Sequence, residues 1–284
     1  MARSSNLIRK GESLFFMKKH FLFSVLFLFF IQGCFAQVTL VTWNLKNFGK
    51  SKTDEQIRYM SNLLCNYDII AIQEVVTGVE GAQKVAQLAD ELNRKGAKWD
   101  YIVSDPTNST GQKSERYAYL WKTKNIKLKQ RAFLEKKFDK NIEREPYIAI
   151  FEFEKKSFGI ASFHAVPKKS NPETEIKYLK YFPEEYPNIN FFVGDFNLAQ
   201  SHSVFNPLKD LGFKPLFQNQ KTSLKQECKN GECLANPLDH IFYKESKIKI
   251  INKGVILFYN DFKNLKEARK LSDHIPVYVE FNLN

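Results

Sequence analysis

The stretch Asn190-Phe191-Phe192-Val193-Gly194-Asp195-Phe196-Asn197 places polar side chains directly after a short apolar run. Such a run is typical of a buried strand, and residues two apart in an extended chain face the same side. We therefore expect Asp195 and Asn197 to act together at a strand end, or to form an Asx-type turn after it. Polar residues at strand ends on one sheet edge converge in space, and α/β proteins build their sites at such edges.

Strands and helices alternate on both sides of this stretch. Besides residues 190–193, the pattern predicts strands at residues 38–43, 67–73, 99–103, 117–121, 147–153, 158–163, 247–251 and 275–281. Helices are predicted at residues 53–65, 82–95 and 173–181, the first beginning with the capping-box pattern Thr53-Asp54-Glu55-Gln56. No repeat, low-complexity tract or linker interrupts residues 37–284, so we expect one α/β domain with two packed sheets.

The composition is that of an ordinary globular protein with an excess of basic residues. Of the 284 residues, 43% are hydrophobic and 26% charged, which excludes a disordered chain, a collagen-like fibre and a disulfide-dense miniprotein. The chain carries 43 Lys and Arg against 31 Asp and Glu, a formal net charge of +12. This favours polyanionic partners such as nucleic acid, anionic lipid headgroups or cell-wall polymers, although a basic surface can also serve solubility alone.

One long apolar run, at residues 21–31, follows a short basic segment. It is too short to span a bilayer, which takes about 20 apolar residues, but it suits the core of a signal peptide. Cleavage after Ala36 would release residues 37–284, whereas lipidation of Cys34 would produce an outer-membrane lipoprotein. We expect residues 1–36 to be an N-terminal extension and signal peptide, and the protein to be secreted or periplasmic.

Three further cysteines follow the export segment. Cys228 and Cys233 flank a turn-like stretch, and in an oxidising compartment we expect them to form a small-loop disulfide. A zinc site is disfavoured because no second Cys or His pair with ligand spacing lies nearby. Cys65 lies in an apolar run and is expected to be a buried free thiol.

Polar residues that could take part in catalysis sit next to the predicted strands. They are Asn44, Glu74, His164, Asp195, Asn197, Asp239, Asp273 and His274. Carboxylate and amide oxygens are ligands that Mg²⁺ prefers, and an imidazole beside an acid can transfer protons. His202 and His240 have no such pattern around them and are expected to be structural.

The order of the motifs along the chain is more specific than any one motif. The motifs are Trp43-Asn44-Leu45, Gln73-Glu74-Val75, Ser114-Glu115-Arg116-Tyr117, Arg144-Glu145-Pro146, Phe163-His164-Ala165-Val166-Pro167, Gly194-Asp195-Phe196-Asn197, Asp239-His240-Ile241 and Ser272-Asp273-His274-Ile275-Pro276. Over residues 38–281 this order resembles the endonuclease/exonuclease/phosphatase superfamily, and the Glu-Arg-Tyr, Arg-Glu-Pro and His-x-x-Pro segments resemble its secreted deoxyribonuclease I branch. The resemblance implies a four-layer α/β sandwich with two packed mixed β-sheets, with residues 37–284 as the catalytic domain.

The same resemblance implies a Mg²⁺ site, at which Mn²⁺ or Ca²⁺ could substitute or assist. Asn44 and Glu74 would bind the cation, with Asp273 as a further ligand. Asp195 and Asn197 would bind the metal or position the scissile phosphate and the attacking water.

Two acid–histidine pairs are also implied by the resemblance. His164 would pair with Glu115, and His274 with Asp239. The two pairs would act as general acid and general base, or would stabilise the transition state electrostatically. Arg144 would contact the phosphate.

These implications lead us to expect an exported, Mg²⁺-dependent endonuclease that hydrolyses DNA with little sequence specificity. The alternatives are a phosphatase or phospholipase C-like enzyme acting on inositol phosphates or sphingomyelin, and an inactive protein that only binds DNA or lipid. No protein partner is evident, and membrane contact is expected only if Cys34 is lipidated. Lys113 replaces a tyrosine of deoxyribonuclease I that contacts DNA, which leaves the preference between single- and double-stranded DNA open.

Lysines in the loops beside the motifs could follow a nucleic-acid backbone, or could simply be solvated surface residues. They are Lys46, Lys50, Lys52, Lys113, Lys168 and Lys169.

Overall fold

The computed structural model of the protein describes residues 37–109 and 114–284. The predicted signal peptide, its cleavage site and Cys34 lie outside the described residues, as does Lys113. Gln37–Asn284 form a compact unit of their own. Within the described ranges, no helix combines the length and the apolar character needed to cross a membrane.

Strands supply most of the regular structure. In chain order they are β1 (Val38–Phe48), β2 (Ile69–Val75), β3 (Trp99–Val103), β4 (Arg116–Lys122), β5 (Ile126–Leu128), β6 (Phe133–Leu134), β7 (Tyr147–Phe153), β8 (Lys156–His164), β9 (Ile189–Asp195), β10 (Phe213–Pro215), β11 (Leu224–Lys229), β12 (Glu232–Leu234), β13 (Asp239–Lys244), β14 (Ile248–Val255) and β15 (Val277–Leu283). The α-helices are α1 (Asp54–Leu64), α2 (Val79–Asn93), α3 (Glu173–Ile176), α4 (Phe182–Glu185), α5 (Asn206–Asp210) and α6 (Leu265–Leu271).

The strands form two large mixed sheets and one small hairpin. The first sheet has the order β14-β15-β1-β2-β4-β3, and the second has the order β10-β13-β9-β8-β7-β5, with β6 also paired to β7. Strands β11 and β12 pair only with each other. Parallel pairing joins β1 to β2 and β8 to β9, so each sheet has a parallel pair at its centre.

Helices cover the outer face of the first sheet. Thr53 caps the N-terminus of α1: its hydroxyl accepts from the Gln56 N–H while the Gln56 side chain accepts from the Thr53 N–H, as the sequence predicted. Helices α1 and α2 bury apolar residues such as Ile57 and Leu88 in one cluster with Trp43 and Ile72 from the sheet. Burial of these faces removes apolar area from water and holds the helices in place.

Aromatic rings fill the space between the two sheets. The Phe191 ring of β9 lies 4.7 Å from the Phe281 ring of β15, and the Tyr119 ring of β4 lies 5.4 Å from the Tyr147 ring of β7. The outer face of the second sheet packs against short helices through residues such as Phe182. The layers are therefore helix, sheet, sheet and helix, and the predicted four-layer sandwich is confirmed.

The predicted helix at residues 173–181 is helical at both ends but is not one continuous helix. Helix α3 ends at Ile176, a 3-10 helix follows at Leu179–Tyr181, and α4 begins at Phe182. Ile176, Leu179 and Phe182 are all buried, and their spacing of three matches the three residues per turn of a 3-10 helix.

The cysteines largely follow the sequence prediction. The Cys228–Cys233 disulfide is confirmed, and it closes the hairpin of β11 and β12. Cys65 is a free thiol as predicted, but it is only partly buried. It is the C-cap residue of α1 and packs at the margin of the core cluster.

Candidate active site

Strand register brings three of the predicted residues together at one edge of the second sheet. Asp195 is the last residue of β9; it lies opposite His164 in β8 and opposite Asp239 in β13. Gly194 makes this arrangement possible, because its φ is +126° and a Cβ there would lie 2.1 Å from the Phe163 carbonyl oxygen. Only glycine fits such a close approach of two backbones at positive φ.

The first sheet contributes two oxygen-bearing side chains to the same edge. Asn44 Nδ2 lies 3.0 Å from Glu74 Oε1 and 3.1 Å from Asp195 Oδ2. Glu74 has a φ of +61°, and its Oε2 accepts from the Asn47 N–H at 2.9 Å. Strained backbone of this kind often occurs at functional sites. The structure thus brings together Asn44, Glu74 and Asp195, three of the four predicted metal ligands.

The fourth predicted ligand, Asp273, makes different contacts. Its Oδ2 lies 3.1 Å from Lys46 Nζ and 3.2 Å from Arg269 Nη2. Burial raises the pKa of Asp273, but the neighbouring His274 and Lys46 outweigh it, and the net pKa is lowered. Asp273 is therefore a charged group held beside the site by two cations.

His164, Glu115 and Arg144 form one buried network. His164 Nδ1 lies 2.8 Å from Glu115 Oε2, and Arg144 Nη1 donates to the same oxygen at 3.0 Å. Burial lowers the pKa of His164, but the Glu115 carboxylate outweighs it, so the net pKa is raised. Burial raises the pKa of Glu115, but His164 and Arg144 outweigh it and lower it. The predicted pair is in contact, and both members favour their charged forms.

Arg144 and Asn197 both bind the loop that follows His164. Arg144 Nη2 and Asn197 Nδ2 each donate to the Ala165 carbonyl oxygen at 2.9 Å. The Asn197 N–H donates to Asp195 Oδ1 at 2.9 Å, which is the Asx-type turn anticipated for this stretch. Asn197 has a φ of +52°, so the turn and the site share the same residues.

His274 and Asp239 form the second acid–histidine contact. His274 Nδ1 lies 2.7 Å from Asp239 Oδ2, and its Nε2 lies 3.6 Å from Asp195 Oδ2. Burial lowers the pKa of His274, but Asp239 and Asp195 outweigh it and raise the pKa to about 10. The same Asp195 oxygen lies 3.5 Å from His164 Nε2. Both imidazoles therefore point at one carboxylate oxygen, each held from behind by its own acid.

The donor set fits a hard divalent cation. Asp195, Asp239 and His274 offer ligand atoms that lie within 4.8 Å of one another, and Asp239 Oδ1 is buried with no hydrogen-bond partner in the described part of the chain. A half turn of the Asn44 amide would place its oxygen, instead of its nitrogen, beside Glu74 and Asp195, at the cost of the bond that Asn44 Oδ1 accepts from the Lys46 N–H at 3.1 Å. Oxygen-rich, partly buried sites of this kind suit Mg²⁺ or Ca²⁺.

Two cavities adjoin these residues. One of about 500 Å³ is lined by Glu74, Glu115 and Lys169. The other, of about 560 Å³, is lined by Asn197 and Lys168. Each cavity has a lysine in its lining, Lys169 in the first and Lys168 in the second.

The other two histidines in the described part of the chain, His202 and His240, have structural roles, in keeping with the sequence interpretation. The exposed His202 side chain accepts from the Val204 N–H and caps a 3-10 helix. His240 is buried; its Nε2 donates to the Leu198 carbonyl oxygen at 2.8 Å. Burial lowers the pKa of His240 to about 4, so it is neutral at pH 7.

Two side chains that hold the site together were not identified from the sequence motifs. One is Arg269, which binds Asp273 four residues further along the chain. An i,i+4 pair of opposite charges near the end of α6 indicates such an ion pair, so the sequence could have predicted it. Thr222 bonds Asp239, but it lies 17 residues away in no recognisable motif.

The site combines two acid–histidine pairs with a cluster of oxygen ligands, and it lies on a four-layer sandwich. This combination is that of a hydrolase of phosphate esters. Residues 41–274 match the Endonuclease/Exonuclease/phosphatase family, and the chain belongs to it.

Several known proteins are similar to this chain. A deoxyribonuclease from Thioalkalivibrio sp. (strain K90mix) is 24% identical over an alignment of 272 residues, and the match covers 88% of this chain and 72% of that protein. The structure of D. rerio TDP2 complexed with a single-strand DNA product is 15% identical, with a TM-score of 0.61, and the match covers 87% of this chain and 99% of that one. A mannosyl-6-phosphatase from Bacteroides thetaiotaomicron VPI-5482 is 18% identical, with a TM-score of 0.62 and coverage of 86% and 99%. The two structures share the fold.

Proposed function

We propose that this protein is an exported, Mg²⁺-dependent endonuclease that hydrolyses DNA phosphodiesters with little sequence specificity. The observation that carries the proposal is the arrangement of His164 and His274, whose Nε2 atoms lie 3.5 and 3.6 Å from the same Asp195 oxygen. The similarity to a deoxyribonuclease supports the choice of DNA. Export rests on the apolar run at residues 21–31.

Hydrolysis of a phosphodiester needs two proton transfers. A bond forms between a water oxygen and phosphorus, one P–O ester bond breaks, a proton leaves the water and a proton reaches the leaving oxygen. His164 and His274 each have Nδ1 held by a carboxylate and Nε2 directed into the site. His274, whose pKa is raised to about 10, can donate the proton to the leaving oxygen, and His164 can accept the proton of the water in the fraction of molecules in which its ring is unprotonated. The acids keep each ring oriented and stabilise its charged form.

Charge neutralisation is the second requirement. Asn44, Glu74 and Asp195 would hold the cation, and Asp273, which contacts Lys46 and Arg269, would be a further ligand. When bound, a divalent cation offsets the negative charge that develops on the phosphate oxygens. Arg144, already anchored on Ala165, supplies a fixed positive charge at the same edge.

Contacts to the rest of a DNA strand would come from lysines beside the cavities. Lys168 and Lys169 line one cavity each, and Lys50 is exposed. Lys52 is different, because it is only 2% exposed and its Nζ donates to the Lys270 carbonyl oxygen at 3.1 Å. The lysines that remain accessible would make binding weaken as salt rises.

A phospholipase C-like activity would gain support from exposed aromatic residues that could enter a membrane. The aromatic pair Phe258-Tyr259 is a candidate for such a contact. Phe258 is 1% exposed, and its ring packs 5.2 Å from the Trp43 ring, while Tyr259 is partly buried against the same core. This segment therefore does not favour a membrane-facing hairpin.

Nicking of supercoiled plasmid by purified residues 37–284 tests the proposal. We expect nicking in Mg²⁺ that EDTA abolishes and that His164→Ala or Asp273→Ala reduces by about 10²-fold or more. Circular dichroism and thermal melting should show that both variants remain folded. Retained activity in both variants would overturn the site assignment.

Failure of the wild-type protein to nick would overturn the choice of substrate. Two assays would then identify the substrate. Release of phosphate from inositol phosphates or other phosphorylated small molecules would assign a phosphatase activity to the same site. Release of phosphocholine from sphingomyelin would assign a phospholipase C-like activity. Metal-independent DNA binding without turnover would instead indicate a protein that only binds.

A further inference from the structure

Thr222 lies behind the His274–Asp239 pair, and its side chain is completely buried. Its Oγ1 donates to Asp239 Oδ2 at 2.6 Å, and His274 Nδ1 lies 2.7 Å from the same oxygen. One carboxylate oxygen therefore receives both a hydroxyl and an imidazole. Asp239 Oδ1 has no hydrogen-bond partner in the described residues, so these two contacts account for the side-chain hydrogen bonds of this carboxylate.

The direction of the Thr222 hydroxyl is determined by its other bonds. Oγ1 accepts from the backbone N–H of Leu238 at 3.1 Å and of Asp239 at 2.9 Å. A threonine hydroxyl has one proton and two lone pairs. With both lone pairs used by N–H groups, the single proton is left for Asp239 Oδ2.

The backbone of Thr222 joins the two segments that carry the pair. The Thr222 N–H donates to the Asn236 carbonyl oxygen at 2.8 Å, and the Ile275 N–H donates to the Thr222 carbonyl oxygen at 2.8 Å. The next residue, Ser223, forms a bridge with His274. Thr222 is therefore bound to the chain just before Asp239 and just after His274.

We propose that Thr222 is a positioning residue that sets the orientation of the Asp239 carboxylate and, through it, the direction of His274 Nε2. The proposal rests on the proposed role of the His274–Asp239 pair. Removing the hydroxyl leaves a buried carboxylate with one side-chain hydrogen bond, and such a group rotates or recruits water to recover the lost partner. His274 then loses the fixed acceptor that aims its ring at Asp195.

The test compares Thr222→Val, which removes the hydroxyl at nearly constant volume, with Thr222→Ser, which retains it. Thr42→Val is the matched control, because Thr42 is 1% exposed and its hydroxyl bonds Gln73 in the core. We expect Thr222→Val to lower kcat for DNA cleavage by about 10- to 100-fold with KM nearly unchanged, the range a hydrogen bond to a charged group supplies. Thr222→Ser should restore most of kcat, and Thr42→Val should leave kcat unchanged.

A proton NMR measurement separates positioning from loss of stability. The His274 Nδ1–H should give a strongly downfield resonance in the wild-type protein and in Thr222→Ser and Thr42→Val. In folded Thr222→Val it should shift or exchange away. If Thr222→Val does not fold, Thr222→Ala provides a second hydroxyl-free variant for the same spectrum.

Two results would overturn the proposal: an unchanged His274 Nδ1–H resonance with wild-type kcat in the hydroxyl-free variant, or equal loss of kcat in Thr222→Val and Thr222→Ser. Absence of DNA cleavage by the wild-type protein would overturn the proposed function instead. In that case the resonance alone decides whether Thr222 positions the pair.

Discussion

Lys46 and Asp273 form an ion pair across the rim of the site, with Lys46 Nζ 3.1 Å from Asp273 Oδ2. The same oxygen also receives Arg269 Nη2 at 3.2 Å. Lys46 and Arg269 therefore compete with a metal ion for the Asp273 carboxylate. To bind this oxygen, the metal must displace one of the two side chains or share the oxygen with it. Of the predicted ligands, Asp273 is therefore the one whose contribution depends most on its neighbours.

Replacement of Lys46 by methionine should tighten the binding of Mg²⁺. The change removes one positive charge and one competitor for Asp273, and the pair is partly exposed, so we expect an affinity gain of about two- to fivefold. Isothermal titration of the metal-free protein measures it. Lys50→Met is the control because Lys50 is exposed. Unchanged or weaker binding in Lys46→Met would show that the ion pair does not compete with the metal.

Binding of the cation should stabilise the fold through Glu74. A ligand that binds only the native state adds about 2.7 kcal/mol to the free energy of unfolding at a concentration of 100 Kd. MgCl₂ should therefore raise the Tm of the wild-type protein, and Glu74→Gln should lose most of that rise. The exposed Glu55→Gln in the first turn of α1 should keep it. A full Mg²⁺-dependent rise in Glu74→Gln would remove Glu74 from the ligand set.

Strands β1, β2, β8 and β9 were predictable because each is an apolar run followed by a polar site residue at or near its end. Strand β13, which begins at Asp239, was not predicted. Strands predicted at residues 99–103 and 147–153 coincide with β3 and β7. Most other predicted elements differ by a few residues at their ends, where hydrogen bonding rather than periodicity decides. The small strands β5, β6 and β10 have two or three residues, too few for a pattern to show.

The partners of the site residues were less predictable, because they depend on which strands become neighbours. The order of the motifs implied that His274 lies near Asp239, and the structure brings them together. The contacts of Asp273 with Lys46 and Arg269 arise from a loop and a helix end, and no local pattern predicts where a surface lysine will point.

The Cys228–Cys233 disulfide should stabilise the protein modestly. Its two cysteines are 5 residues apart, and closing so short a loop reduces the entropy of the unfolded chain by an amount worth about 2 kcal/mol. Denaturation by urea should show a loss of that size in the Cys228→Ser/Cys233→Ser double variant. Cys65→Ser, which changes a free thiol, keeps the disulfide and should lose the same stability on reduction as the wild-type protein. Equal stability of the wild-type protein with and without reductant would contradict the prediction.

Stability should fall below pH 6.5 because of His240. Burial lowers its pKa to about 4 in the folded protein, against an ordinary value of 6.5. The unfolded chain therefore takes up a proton between pH 6.5 and pH 4 that the folded protein does not, which costs about 3 kcal/mol once the pH reaches 4. His240→Phe suits the surrounding rings of Phe196 and Phe242, and it should flatten the dependence of unfolding free energy on pH over this range. His202→Gln, at an exposed histidine, is the control. If the unfolding free energy of His240→Phe depended on pH as steeply as that of the wild-type protein, another group would be responsible for the acid sensitivity.

Lys52 should destabilise the protein at neutral pH. Burial lowers its pKa from 10.5 to about 8, although the nearby Glu74 carboxylate raises it in part. The folded-state pKa lies below the unfolded one, so the cost is complete below pH 8, is about 3 kcal/mol, and disappears as the pH rises towards 10.5.

Lys52→Met keeps the apolar stem and removes the buried charge. It also removes the bond from Nζ to the Lys270 carbonyl oxygen, a loss of about 1 kcal/mol. We therefore expect Lys52→Met to raise the free energy of unfolding at pH 7 by about 2 kcal/mol, and the two proteins to converge between pH 8 and pH 10. Urea denaturation across this range measures the difference, with the exposed Lys50→Met as the matched control. Parallel pH profiles, or a less stable Lys52→Met at pH 7, would mean that contacts of the charged Lys52 outweigh the cost of burying it.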